Sequence, residues 1–148
     1  MFNSEAKASG KLNVVLKDSD GNIKQAIEVP NLVVSTGLAF IASRMKDTTD
    51  TAMSHMAIGT GTTAAAAGDT TLGTEAARVA LTSTTVTANA IAYVASFGAG
   101  TGTGAITEAG LFNAASSGTL LCRTVFDVVN KGASDTLQIT WTITLSAS

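Results

Sequence analysis

The segment Thr136-Leu-Gln-Ile-Thr-Trp-Thr-Ile-Thr-Leu145 alternates without a break. Leu137, Ile139, Trp141, Ile143 and Leu145 are apolar. Thr136, Gln138, Thr140, Thr142 and Thr144 fill the positions between them. A period of two sends successive side chains to opposite faces, so the segment reads as a strand with one buried and one wet face, Trp141 pointing inward. A helix cannot use this pattern, because its apolar stripe needs spacings of three and four.

Further strands follow from shorter stretches of the same kind. Lys11–Lys17 and Ile23–Val29 flank Asp18-Ser-Asp-Gly-Asn22, a turn in which Gly21 can take positive φ, and together predict an N-terminal hairpin. Met56–Gly59, Glu75–Thr82 and Thr85–Phe97 read as strands, the last as one long strand. Ala105–Asn113, Thr119–Val129 and Thr136–Ser146 form a closing block of three, joined by Ala114–Gly118 and Asn130–Ser134. Short strands with Gly-bearing turns at this spacing predict a mainly β chain: an antiparallel β-sandwich or barrel-like domain.

The period changes between Asn31 and Met45. Val33, Gly37, Phe40, Ile41, Arg44 and Met45 fall on one helical face, which predicts one short helix near residues 32–46 with Asn31 or Ser35 as its N-cap. Met1–Gly10 carries no periodicity and reads as a flexible N-terminal arm, leaving residues 11–148 as a single β-rich domain. Thr60–Thr71 and Gly98–Gly104 have little to bury and read as surface loops.

Composition narrows the class. Only 14% of the 148 residues are charged, so the surface must be largely Thr, Ser, Ala and Gly, which protects poorly against association. The net charge is −2 and the cations are scattered, which argues against nucleic-acid binding. No apolar run has the length of a membrane helix, and the N-terminus shows no signal-peptide pattern. A single cysteine, Cys122, excludes an intrachain disulfide.

The candidate chemistry is sparse. Gly98-Ala-Gly-Thr-Gly-Thr-Gly104 has neither the spacing of a dinucleotide loop nor the Lys of a phosphate loop. His55 is the only histidine, and no nucleophile motif accompanies it. Cys122 is in phase with Leu120 and Phe126 and reads as a small core residue. Asp18, Asp20, Asn22 and Glu28 resemble part of a calcium loop, but the full pattern and its flanking helices are missing and an Asx-stabilised turn is the better account. Glu108 and Arg123 are expected to pair across neighbouring strands in a structural role. The expectation is therefore no enzyme, with no catalytic, cofactor or metal residue.

Ile106-Thr-Glu-Ala-Gly-Leu-Phe-Asn113, Gly118-Thr-Leu-Leu-Cys-Arg-Thr-Val-Phe126, Asn130-Lys-Gly132 and Thr136–Leu145 resemble a pattern of small tailed-bacteriophage virion structural proteins. Met56-Ala-Ile-Gly-Thr-Gly61, Asp69-Thr-Thr-Leu72, Glu75 and Arg78 extend the resemblance to about Asn31–Ser146. It implies a structural part of the virion, assembled in the host bacterial cytoplasm. Head decoration or cement proteins and tail fibre, adaptor or baseplate modules all fall within the likeness. The expected function is capsid decoration by a homotrimer bound to the major capsid protein, with Met1–Gly10 and Thr60–Thr71 reaching for the lattice. A tail module bound to a tail protein is the alternative. A carbohydrate- or surface-binding β-sandwich is the second, though aromatic platforms are scarce.

Overall fold

A computed structural model describes residues 5–147. The nine strands are β1 (Ala6–Lys17), β2 (Ile23–Val33), β3 (His55–Gly59), β4 (Glu75–Ala80), β5 (Ser83–Thr87), β6 (Ala90–Phe97), β7 (Gly104–Phe112), β8 (Leu120–Lys131) and β9 (Thr136–Ala147). One helix, α1 (Ser35–Lys46), follows β2. The strands form a single antiparallel sheet in the order β4-β3-β7-β8-β2-β1-β9-β6-β5, curled into a half-barrel. The expected β class and short helix are both present.

The closing strand behaves as its alternation predicts over most of its length. Leu137, Ile139, Trp141 and Ile143 are buried, while the residues between them are half-buried or exposed. Leu145 departs from the pattern: it is 43% exposed, because β9 runs past the end of the core there. The inward residues meet Leu12, Val14 and Leu16 of β1 and Tyr93, Ala95 and Phe97 of β6 in one continuous core.

The expected three-strand block is divided. β7 pairs with β8, but β9 leaves β8 and lies between β1 and β6. β1 offers β9 an unbroken register from Ala6↔Ala147 to Lys17↔Thr136, longer than a short hairpin return would give. That register also corrects the N-terminal boundary. Ala6–Gly10, expected in an arm, are strand residues, because polar and small side chains suffice where the backbone is paired on the ladder. Residues 1–4 lie outside the described part.

Two other boundaries moved. Thr85–Phe97 is a hairpin rather than one strand, turning at Ala88-Asn89 with φ 53° at Ala88. No glycine marks this turn. The helix begins at Ser35, since Val33 still belongs to β2 and pairs with Cys122. Neither Asn31 nor Ser35 caps it; Val34 occupies the N-cap position without a side-chain bond. The free Ser35 N–H donates to the Ala67 carbonyl, and Thr36 Oγ1 donates to the Leu120 carbonyl. Gly37 and Phe40 face the core, whereas Arg44 and Met45 point to solvent. A Cβ on Gly37 would overlap the Leu121 carbonyl, so glycine lets α1 lie directly on β8.

The half-barrel's two edges are consecutive in the chain. β4 and β5 are joined by Leu81 and Thr82. Leu81 N–H donates to the Ser54 carbonyl beside β3, and Thr82 N–H donates to Val94 in β6. The chain thus bridges the opening at one corner.

Candidate functional site

Most charged residues of the resemblance motifs converge on the outer face of β3, β4, β7 and β8. Glu108 on β7 is fully buried there. Its Oε2 accepts from the N–H groups of Gly61 at 2.6 Å and Thr74 at 2.7 Å. Its Oε1 accepts from the Gly73 N–H at 2.7 Å and from Arg123 Nε and Nη2 at 3.1 and 3.0 Å. Arg123 also donates to Asp69 Oδ2 at 2.8 Å and to the Thr63 carbonyl at 2.9 Å. A buried charge is tolerated only when paired and hydrogen-bonded, and this cluster meets both conditions.

The backbone makes room for it. Arg123 stands opposite Gly110 in the β7–β8 ladder, so its side chain can cross diagonally to Glu108, which is opposite Val125. A Cβ on Gly61 would overlap the Glu108 carboxylate, and one on Gly59 would overlap the Thr74 carbonyl and meet Glu108 Oε2 at 2.7 Å. Of the two glycines of Met56-Ala-Ile-Gly-Thr-Gly61, the second is space for the carboxylate and the first is space for both the carboxylate and the strand-end backbone that binds it. Thr107 Oγ1 donates to the Gly61 carbonyl at 2.7 Å, so both Gly61 backbone groups are held.

Burial pushes the Glu108 carboxyl up. The N–H groups of Thr74, Gly73 and Gly61 and the Arg123 guanidinium outweigh it and hold the carboxyl below its ordinary range. The Ala66 N–H, with Arg123 behind it, lowers Asp69. This arrangement does structural chemistry: it straps residues 60–74 to the sheet. Thr60–Thr71 is the surface loop expected, and most of its residues are exposed, but it is anchored to the sheet from below. Next to the cluster, the Arg78 guanidinium lies 3.7 Å from the Phe112 ring centroid and bonds both Glu75 carboxylate oxygens, at 3.0 and 2.6 Å.

The other candidates stay apart. Ser54 Oγ and His55 Nδ1 are 2.8 Å apart, a contact between chain neighbours. Cys122 is buried in the main core, and burial raises its thiol well above its ordinary value. Asp18 Oδ1 accepts from the N–H groups of Asp20 and Asn22, both at 2.9 Å, as an Asx turn requires. Among the described residues no group of three or more His, Cys, Asp or Glu side chains is placed to hold a metal ion.

Sequence reasoning missed an apolar groove between α1 and the β5–β6 hairpin. Phe40, Ile41, Val86, Ile91, Tyr93 and Leu145 line it. Burial raises the Tyr93 hydroxyl to about 12. The groove's lining comes from four elements, α1, the β5–β6 hairpin and β9, which are brought together only by the fold. Beside the groove runs β5, every residue of which is exposed.

In comparisons with known proteins, the chain matches no family model, no curated protein and no solved structure.

Proposed function

We propose that this chain is a structural protein of a tailed-bacteriophage particle, a head decoration or cement subunit that binds the major capsid protein and stabilises the shell by protein–protein contacts. The motif resemblance over Asn31–Ser146 suggests the particle, and the surface supports an assembling role. Met45 is 87% exposed, Val86 69% and Leu38 50%, on a chain with little charge to keep copies apart. The observation that carries the reading is the use of the motif residues. Gly59, Gly61, Asp69, Glu108 and Arg123 meet in one cluster around a buried ion pair that straps residues 60–74 to the sheet. A motif spent on rigidity suits a part whose function is its shape.

The homotrimer belongs to this proposal. Its contacts come from the β-domain, because Ala6–Gly10 are tied to β9 and the loop above the cluster is tied to Arg123. The test is binding of purified protein to purified capsids, followed by electron microscopy of the intact particle. Density for this chain at high copy number on the shell supports the proposal. Low copy number at the tail moves it to a tail module, and absence from the particle overturns it.

A further inference from the structure

The two edges of the half-barrel are unlike. β4 carries the ion pair Glu75–Arg78, whose guanidinium packs on Phe112 and bonds the carbonyls of Ala114 and Ser117, so this edge strand is tied to its own neighbours. β5 is Ser83-Thr-Thr-Val-Thr87, with no charge, no proline and no glycine, and it is exposed throughout. An uncharged, regular edge strand is a template for another strand.

Its hydrogen-bonding phase can be read from the hairpin. A two-residue turn at Ala88-Asn89 makes Thr87 and Ala90 the closing hydrogen-bonded pair. Thr85↔Ala92 and Ser83↔Val94 then repeat it, at every second residue. The next ladder agrees: Leu145 N–H donates to the Asn89 carbonyl at 2.9 Å, the bond expected when Ala90 turns its own groups toward β5. Thr84 and Val86 therefore direct their N–H and C=O groups away from the sheet. Among the described residues, no backbone bond other than those to β6 reaches residues 83–87.

The geometry points to a second copy of this chain on that edge, paired antiparallel β5 to β5 about a twofold axis through Thr85. Thr84 of each copy exchanges both backbone bonds with Val86 of the other, and Thr85 faces its own symmetry mate in the intervening non-hydrogen-bonded pair. The strand suits itself as partner for three reasons. Its two outward residues are spaced symmetrically about Thr85, so a twofold satisfies all four groups. Its side chains are neutral, so no like charges are brought together. Val86 shares its face with Ile91 at the mouth of the apolar groove, so the contact extends the concave surface from one copy to the next and covers exposed apolar area.

This contact does not require the virion assignment. Alone it makes a dimer. Combined with a trimer contact whose threefold axis it crosses at right angles, it makes a hexamer of two trimers.

The test is a pair of cysteine variants of the full chain, Thr85→Cys and Thr87→Cys, under mild oxidation. In the proposed register the Cα atoms at position 85 are about 4.5 Å apart, within disulfide reach. Those at position 87 are offset by four residues along the strand, about 13 Å, and cannot bridge. The native Cys122 is buried and does not compete. The expected result is disulfide dimer forming at least about tenfold faster in Thr85→Cys than in Thr87→Cys. Light scattering of the wild-type chain is expected to give an even number of copies, reduced at least twofold by Val86→Lys, which replaces the apolar contact of Val86 with a cation on the same face as, and diagonally across from, its symmetry mate. The buried Trp141 provides a fluorescence check that each variant is folded. Equal cross-linking at the two positions, a strict monomer, or a trimer unaffected by Val86→Lys overturns the proposal. A trimer that binds capsids would leave the virion assignment standing and remove this contact.

Discussion

The Arg123 guanidinium bonds a single oxygen of the Glu108 carboxylate through Nε and Nη2, at 3.1 and 3.0 Å, and both side chains are buried. The other Glu108 oxygen is left for the backbone of residues 61 and 74. The pair therefore acts as a junction between the β7–β8 ladder and the segment that crosses it. An exposed cross-strand pair contributes about 1 kcal/mol or less. Burial changes that magnitude, because removing one charge strands the other.

Glu108→Gln keeps the shape of the side chain and removes its charge. Asp69 remains on Arg123, but the three backbone donors lose their anionic acceptor. A loss of about 3 kcal/mol is expected, in the range for breaking a buried pair. Urea denaturation followed by Trp141 fluorescence measures it; an unchanged midpoint would contradict the role given to the cluster.

Gly61→Ala places a methyl group against the same carboxylate. The neighbour is the end of a side chain that is itself held by five hydrogen bonds, so it cannot move aside freely. The expected cost is about 1–3 kcal/mol, as for overpacking elsewhere. Gly68→Ala is the control, since nothing lies within 4 Å of the added carbon. Thermal unfolding of the two variants side by side should show a drop in Gly61→Ala only.

Ala88→Gly acts in the opposite direction. Ala88 holds φ 53° at the β5–β6 turn, a region that L side chains adopt at a cost and glycine does not. The relief outweighs the extra freedom of glycine in the unfolded chain, and a net gain of about 0.5–1 kcal/mol is expected. Calorimetry of the variant would show a raised midpoint, and a lowered one would mean the turn is not strained.

Acid should loosen the cluster. Glu108, Asp69 and Asp135 all have carboxyls held below their ordinary values; for Asp135 the causes are the Lys24 ammonium at 2.8 Å and the Gly132 N–H at 2.7 Å. A lowered native value means that the unfolded chain takes up protons first as the pH falls. Their contribution is therefore complete above the ordinary carboxyl values of about 4 and declines as the pH drops from there through the native values. Denaturation midpoints from pH 7 to 2.5 should be flat, then fall below about pH 4, and Glu108→Gln should flatten the acid limb.

Part of the site was legible in the sequence. Glu108 and Arg123 were expected on neighbouring strands, and β7 and β8 are neighbours. That their pairing would be buried, and that Gly61, Gly73 and Thr74 would close on it, was not. Nothing in the local pattern of Thr60–Thr71 says what it packs on, because its partners lie at residues 108 and 123. The groove and the β5 edge escaped for the same reason, and the unmarked turn at Ala88 hid the strand that forms the edge.

Alternation by itself determined that Thr136–Leu145 is a strand and that Leu137, Ile139, Trp141 and Ile143 are its buried side, since period two is a property of the chain's own geometry. Phase with its neighbours likewise marked Cys122 as core, and the turn-forming residues themselves marked Asp18–Asn22. Which strand lies beside which was decided only by the tertiary structure. β9 had β8 four residues away, yet it pairs with β1 from the other end of the chain, where every residue from Thr136 to Ala147 finds a partner. A ladder's stability depends on the length and fit of both strands, and the second strand is invisible from the first.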